Sequence, residues 1–291
     1  SNPEQRLSAA ETKARVGAGF AYHESSQPFY RLKILLKNLE QEPELYLNKK
    51  SDAIYHLRAL IDFIGKLERA NQGIANLHSG AVVNNRGEGL LFSAWQDVGK
   101  TTLALLLSSQ GYGLIGDDGI ALASSGEITR QQTRTGVFPH PDNLKLLKLP
   151  FTEKLKGWFK YRFIKYAFLG KFINSNLWAD YEWFPKISDR AMLDRVYILE
   201  LGKKNIAELD AHTAANKILT TVLAQILPDG FAKRFILSYC FANNLPPTLI
   251  QDKYRAIITS ALSGKKIYKI SGQNYLEIYH QFLENENKLA Q

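Results

Sequence analysis

The stretch that decides the fold runs from Leu77 to Asp118 and reads LHSGAVVNNRGEGLLFSAWQDVGKTTLALLLSSQGYGLIGDD. His78–Val83 is short and β-prone, Asn84-Asn85-Arg86-Gly87 is turn chemistry, and Gly89–Phe92 is a second apolar run, so a β-hairpin is expected. The hairpin leads into Ala94-Trp95-Gln96-Asp97-Val98-Gly99-Lys100-Thr101. An apolar helix over Thr102–Leu107 stops at Gly111, and a strand at Leu114-Ile115 ends on Gly116-Asp117-Asp118.

A loop that holds phosphate needs small residues, so that backbone N–H groups turn inward, and a following helix whose N-terminus favours negative charge. The segment from Ala94 to Thr102 has the required strand–loop–helix order, although Ala94 and the bulky Trp95 stand where small residues are expected. Ala94, Trp95, Gln96, Asp97, Val98, Gly99, Lys100, Thr101 and Thr102 are the candidate phosphate-binding residues. Lys100 would reach the β/γ-phosphates and the Thr101 hydroxyl would bind Mg²⁺. The alternative is an ordinary strand–turn–helix. Asp117 and Asp118 follow Lys100 by 17 and 18 residues. Adjacent carboxylates at a strand end project to opposite sides, so one can hold Mg²⁺ while the other takes a proton from an attacking hydroxyl. Unsupported by the loop, the pair flanked by Gly116 and Gly119 reads as a solvated turn. His78 would be returned by the hairpin to the mouth of the loop, where an imidazole can orient an aspartate; the plain alternative is a hydrogen-bonded structural histidine.

The whole run resembles the nucleotide-binding core of the HPr kinase/phosphorylase family, which is related to phosphoenolpyruvate carboxykinase. A histidine-bearing hairpin, a phosphate loop, a short helix and an Asp-Asp strand follow one another at this spacing. The close likeness covers Leu77–Asp118 and extends more loosely to about Leu201. It implies an α/β fold with a carboxykinase-like P-loop core, ATP and Mg²⁺ as cofactors, and kinase activity. It further implies Lys100 on phosphate, Thr101 and Asp118 toward magnesium, Asp117 as the catalytic base and His78 as the residue orienting it. Ala94 and Trp95 depart from the family pattern, and no equivalent of its later phosphorolysis loop is found. The N-terminal region is also unlike the regulatory domain of the bacterial enzyme.

Outward from this core, residues 1–75 read as a mostly helical region. Leu32, Leu35, Leu36 and Leu39 recur at helical spacing, as do Leu57, Leu60, Ile61, Ile64 and Leu67. Residues 76–291 form the expected kinase domain. In it Ile120–Ala123 and Glu127–Thr133 read as strands about a Ser124-Ser125-Gly126 turn, and Arg195–Leu201 as a strand. Helices are expected over 206–227, 229–243 and 248–263, then a strand at Ile267–Ile270 and a helix at Tyr275–Glu284.

The chain has 291 residues, 37 Lys+Arg against 28 Asp+Glu and a net charge of +9; 45% is hydrophobic and 22% charged, an ordinary globular composition. Between Lys145 and Lys171 stand eight basic residues against the single acid Glu153, so this segment carries +7 of the +9. It interleaves Trp158, Phe159, Tyr161, Phe163, Tyr166, Phe168 and Phe172. Basic groups neutralise phosphates and rings stack on bases. An RNA-binding surface made by His140, Lys145, Lys154, Lys156, Lys160, Arg162 and Lys165 is the leading reading. A solvated charged face and an interfacial membrane helix are the alternatives, the latter weakened because Lys154 and Lys165 fall nearly opposite Lys156, Lys160 and Lys171 on a helical wheel. The layout resembles the archaeal tRNA kinases, HPr-kinase-like enzymes that phosphorylate a ribose 2′-hydroxyl. Phe138–Asn143 is similar to a loop in such proteins; its plain alternative is a proline-ordered connection.

No apolar run approaches the ~20 residues that span a bilayer. The single cysteine, Cys240, excludes an internal disulfide and fits a cytoplasmic address. No signal peptide is read at the start, where Ser1-Asn2 without Met looks like an expression remnant. The expectation is an ATP- and Mg²⁺-dependent cytoplasmic kinase of an RNA hydroxyl, with tRNA as substrate partner and no stable membrane insertion. A protein-serine kinase of HPr-kinase type and a non-catalytic nucleotide-dependent RNA- or membrane-binding module are the competing readings.

Overall fold

The computed structural model describes residues 12–27, 30–48, 55–95, 98–132, 134–137, 140–166, 177–226 and 230–290. In chain order the elements begin with β1 (Thr12–Gly17), β2 (Phe20–Gln27), β3 (Tyr30–Lys37), β4 (Glu44–Leu47), α1 (Tyr55–Asn71), β5 (Ile74–Leu77), β6 (Ser79–Val83) and β7 (Glu88–Ala94). Next come α2 (Lys100–Ser109), β8 (Gly113–Gly116), β9 (Ile120–Ala123), β10 (Glu127–Arg130), β11 (Arg134–Val137), α3 (Pro141–Leu146), α4 (Phe151–Tyr166) and β12 (Leu177–Asp180). The chain closes with β13 (Arg190–Leu201), β14 (Asn205–Glu208), α5 (Ala211–Ile226), α6 (Gly230–Ala242), α7 (Leu249–Leu262), β15 (Lys266–Gly272) and α8 (Tyr275–Ala290). Two compact units contain them: Ser1–Ile74 with Leu223–Tyr254, and Ala75–Val222 with Arg255–Gln291.

The first unit corrects the expected helical N-terminus. Residues 12–47 form a four-stranded antiparallel sheet in the order β1-β2-β3-β4, and only α1 of the anticipated helices is present among the described residues. Leucines 32, 35, 36 and 39 fit a helical period, but the side chains buried within β3 are Leu32, Ile34 and Leu36, a period of two. Lys33 and Lys37 alternate with them and stay at the surface side, which is the pattern of a half-buried strand. Gly19, at φ +73°, makes the two-residue turn between β1 and β2, a conformation that side chains bearing a Cβ rarely take. In α1 the helical period does hold: Leu57, Leu60, Phe63, Ile64, Leu67 and Ala70 are buried, and Gly73 ends the helix at φ +77°. Helix α6 packs against α1, β1 and β2. Its Tyr239 hydroxyl accepts the Leu39 N–H at 3.1 Å and donates to Glu40 Oε2 at 2.8 Å.

The second unit is built on a nine-stranded mixed sheet. Its path runs β5-β9-β10-β13-β7-β6-β8, with β15 alongside β13 and β14 beyond it. Strands β7, β13 and β15 are mutually parallel, whereas the β6–β7 hairpin and the β6–β8 pair are antiparallel. The hairpin turn is closed by Asn84, whose Oδ1 accepts the N–H groups of Arg86 (2.9 Å) and Glu88 (3.0 Å), with Gly87 at φ +82°. Helix α2 is apolar on most of its circumference because its Leu103 and Leu107 lie in the core with Leu90, Phe92 and Tyr197. Full burial of such side chains contributes roughly 1.5–3 kcal/mol each. Strands β11 and β12 form a separate two-stranded ribbon.

Two further expectations change. The helix expected from 206 begins at Ala211, because Asn205–Glu208 pairs with β15 as β14. The loop expected through Asn143 turns into α3 at Pro141, a residue whose fixed φ suits a first helical turn; Phe138 and Pro139 lie outside the described residues. No helix among the described residues is long and apolar enough to cross a membrane.

Candidate phosphoryl-transfer site

Strand direction places the chemistry. Because β6 is antiparallel to both β7 and β8, the C-terminal ends of β7, β8 and β13 and the N-terminal end of β6 share one sheet edge. The register pairs Ser79 with Ser93, Ala81 with Gly116 and Leu199 with Ala94. Along that edge stand Glu200 on β13, Ala94 at the end of β7, His78 just before β6, and Asp117-Asp118 just after β8. Ligands of open α/β sheets bind outside the carboxyl ends of parallel strands.

Between Ala94 and α2 the chain makes the loop, in which Gln96 and Asp97 lie outside the described residues. Gly99 has φ +104°, and a Cβ there would come within 2.6 Å of Tyr275 Cβ, so only glycine fits. No side chain caps α2 at Gly99, which leaves its first N–H groups directed at the loop. Lys100 is buried, and its Nζ donates to the Ala94 carbonyl at 2.9 Å. That contact uses only the Ala94 backbone and asks nothing of its side chain. Trp95 projects from the loop with 56% of its surface exposed. Val98 is buried, and Thr101 and Thr102 lie in the first turn of α2.

Asp117 is 1% exposed. Its Oδ2 accepts from Thr101 Oγ1 at 2.5 Å and from Thr135 Oγ1 at 3.3 Å, while its N–H donates to Tyr181 Oη at 3.3 Å. Oδ1 has no hydrogen-bond partner among the described residues. It faces Gly80, where an added Cβ would lie 3.5 Å away. Burial, and then the neighbouring Asp118 charge, push this carboxyl up to about 7. Asp118 is more open and takes a left-handed backbone, φ +60°, unusual for a residue other than glycine. Its Oδ1 stands 3.3 Å from His78 Nδ1 and 3.8 Å from Lys100 Nζ, so the imidazole expected to orient the base Asp117 lies against Asp118. Burial, and then the nearby Lys100 charge, lower the His78 pKa and favour a neutral imidazole.

Lys100, Thr101, Asp117, Asp118 and His78 are thus brought together from three places in the fold, the start of α2, the end of β8 and the start of β6. Sequence reasoning missed Thr135 on β11 and Tyr181 in the turn after β12. Both reach Asp117 only through tertiary packing of the small ribbon, and nothing local in the sequence marks them. Thr101 Oγ1 and the two carboxylates are hard oxygen donors, few in number, which suits Mg²⁺ that keeps waters and phosphate oxygens in its shell.

The expected substrate residues lie elsewhere. His140 caps α3, its Nδ1 accepting the Asp142 N–H at 3.4 Å, and its ring meets Tyr161 edge-on at 5.3 Å. Lys145 pairs with Asp142 (3.2 Å) and Lys156 with Glu153 (2.6 Å), and Arg162 lies over the Trp158 ring at 4.6 Å. Lys154, Lys160 and Lys165 also belong to α4. Helix α3 packs against α2 and α4 against α3, with Gly157 seated on Leu144. Lys171 lies outside the described residues.

Beside the loop, on the β13 side, a cavity of about 570 Å³ is bounded by Trp95, Val98, Glu200, Lys217 and Thr221. No family model matches the sequence, and no curated protein matches it. Among solved structures the chain is similar to the HPr(Ser) kinase/phosphatase from Coxiella burnetii, at 11% identity over 74% of this chain and 99% of that one, with a TM-score of 0.35.

Proposed function

We propose that the protein is an ATP- and Mg²⁺-dependent phosphotransferase acting on a hydroxyl group, with RNA, most simply a ribose 2′-hydroxyl of tRNA, as acceptor. The observation that carries the kinase reading is the convergence of a buried Lys100 at an uncapped helix N-terminus with a buried carboxyl held near pH 7. A base poised there is matched to taking a proton at neutral pH. Asp117 takes the proton of the acceptor hydroxyl. The acceptor oxygen bonds to the γ-phosphorus as the β–γ bridging P–O bond breaks, and ADP leaves with that electron pair. Lys100 and the α2 N–H groups offset charge on the phosphates, His78 holds Asp118 in place, and Thr101 and Asp118 would hold Mg²⁺. Mg²⁺, when bound, supplies further neutralisation of the phosphate oxygens.

The RNA reading rests on α4, whose basic residues alternate with exposed rings, Phe151 at 78% and Phe159 at 58%. The test is transfer of label from γ-phosphate-labelled ATP to total tRNA and, separately, to a protein extract. Label removed by ribonuclease supports an RNA acceptor; label retained on protein assigns the serine-kinase reading instead. Asp117→Asn should abolish transfer while ATP still binds, and full activity in that variant would remove Asp117 from the role of base. One observation favours a second reading for α4: Leu155 is exposed beside Phe151 and Phe159, and an aliphatic side chain suits an anionic lipid surface better than a base. Charge reversal at Lys154, Lys156 and Lys160 should then weaken vesicle binding and leave RNA affinity and its salt slope unchanged.

A further inference from the structure

The cavity on the β13 side of the loop has no part in the chemistry of Asp117, and the nucleotide reading leaves it free. Its contents are specific. The indole of Trp95 forms one wall, in a loop where chemistry asks for small residues, and it stays more than half exposed. Glu200 accepts from Lys217 Nζ at 2.5 Å across the opposite wall. Thr220 and Thr221 complete the lining, and their hydroxyls already donate to the helix carbonyls of Asn216 (2.8 Å) and Ile218 (2.7 Å). Those hydroxyls therefore face a ligand mainly as acceptors. The site offers a flat aromatic surface, a carboxylate and two hydroxyl acceptors, and one ammonium donor. A heteroaromatic ring with amino and ring-nitrogen groups at its edge is the ligand class such a set recognises.

Position along the sheet edge supplies the rest. Asp117 and Asp118 stand two strands from β7 on one side, and the cavity stands against β13, one strand from β7 on the other. The loop lies between. Three inter-strand spacings cover ~14 Å, a span suited to an extended nucleoside triphosphate. Its phosphate end would reach the carboxylates while its base enters the cavity. An acceptor hydroxyl must meet Asp117 and would approach from the other side.

We infer that this cavity is the base subsite of the nucleotide, taking a purine stacked on Trp95 with its edge read by Glu200 and Lys217. The inference rests on the phosphate-loop reading, and the test separates the two. Calorimetric titration with Mg·ATP and with Mg·tripolyphosphate, which has the phosphates and no base, is run on the wild-type chain and on Trp95→Ala, Trp95→Phe and Lys100→Ala. Base stacking of this kind is removed by alanine at a cost of about tenfold or more in affinity. Trp95→Ala should weaken Mg·ATP by that factor and leave Mg·tripolyphosphate unchanged, Trp95→Phe should restore most of the loss, and Lys100→Ala should weaken both ligands. Equal effects of Trp95→Ala on the two ligands, or no effect on either, would overturn the base subsite alone. So would a wild-type chain that binds tripolyphosphate as tightly as ATP. A wild-type chain that binds neither ligand would overturn the phosphate loop and the base subsite together. Trp95 is exposed, so its truncation leaves the fold intact, and circular dichroism of each variant checks this.

Discussion

Replacing Asp117 by asparagine should change how stability depends on pH, and the size follows from its surroundings. The carboxyl is fully buried, pushed up to about 7 in the folded chain, against an ordinary value near 3.8. A raised folded pKa means that the folded state holds the proton more tightly than the unfolded one. That preference stabilises the fold fully below pH ~4 and is lost as pH rises through 7. Between pH 5 and pH 8 the loss from this one group is about 3 kcal/mol. Asparagine does not titrate and keeps the shape, so the variant lacks this loss. For a unit of this size each kcal/mol moves the melting temperature by roughly 2–4 °C. The difference in Tm, variant minus wild type, should therefore grow by about 6–12 °C from pH 5 to pH 8. Scanning calorimetry in chelator, which keeps divalent cations off the carboxylates, measures it. Any constant effect of the amide, such as its fit to Thr101 and Thr135, cancels in the comparison between the two pH values. Parallel pH profiles for the two proteins would refute the assignment of Asp117 as a buried, proton-holding carboxyl.

Three other perturbations test the framework around it. Gly99→Ala forces a Cβ to within 2.6 Å of Tyr275 Cβ at φ +104°, so it should cost about 1–3 kcal/mol in thermal or urea unfolding and weaken Mg·ATP in calorimetry. Tyr181→Phe removes the acceptor of the buried Asp117 N–H, so urea unfolding should show a loss of ~1–3 kcal/mol, where a surface tyrosine would show almost none. Ile34→Ala in β3 should cost about 2–5 kcal/mol because the side chain is completely buried, whereas Lys33→Ala should fall within ~0.5 kcal/mol.

The candidate site was legible because most of it is local. The hairpin, the loop, α2 and β8 follow one another without interruption, each connection is marked by turn residues, and register alone carries His78 to the edge that holds Asp117. What lay outside local pattern was lost. Thr135 and Tyr181 come to Asp117 from a ribbon whose strands are far apart in the chain, and a threonine in a strand carries no sign of its neighbour. The N-terminal sheet was misread for a different reason. Leu32 and Leu36 satisfy both the helical and the strand period, and the buried Ile34 between them, flanked by Lys33 and Leu35 on the other face, is what separates the two. In α1 no such ambiguity exists, because six buried positions over four turns cannot be fitted with a period of two.

The first unit is discontinuous, and that has a consequence for synthesis. Strands β1–β4 and α1 are complete by Asn71, yet α6, which covers β1, β2 and α1, ends only at Ala242. At the usual pace of translation the ribosome takes ~10–30 s to supply that interval. During it the nascent sheet lacks the cover that α6 gives to β1 and β2, while β6, β7 and β8 can already pair behind it. The N-terminal portion is therefore the part of the chain that a chaperone would hold longest. A chain released before α6 emerges would aggregate through the N-terminal unit, even though Lys100, Asp117 and Asp118 had already been made.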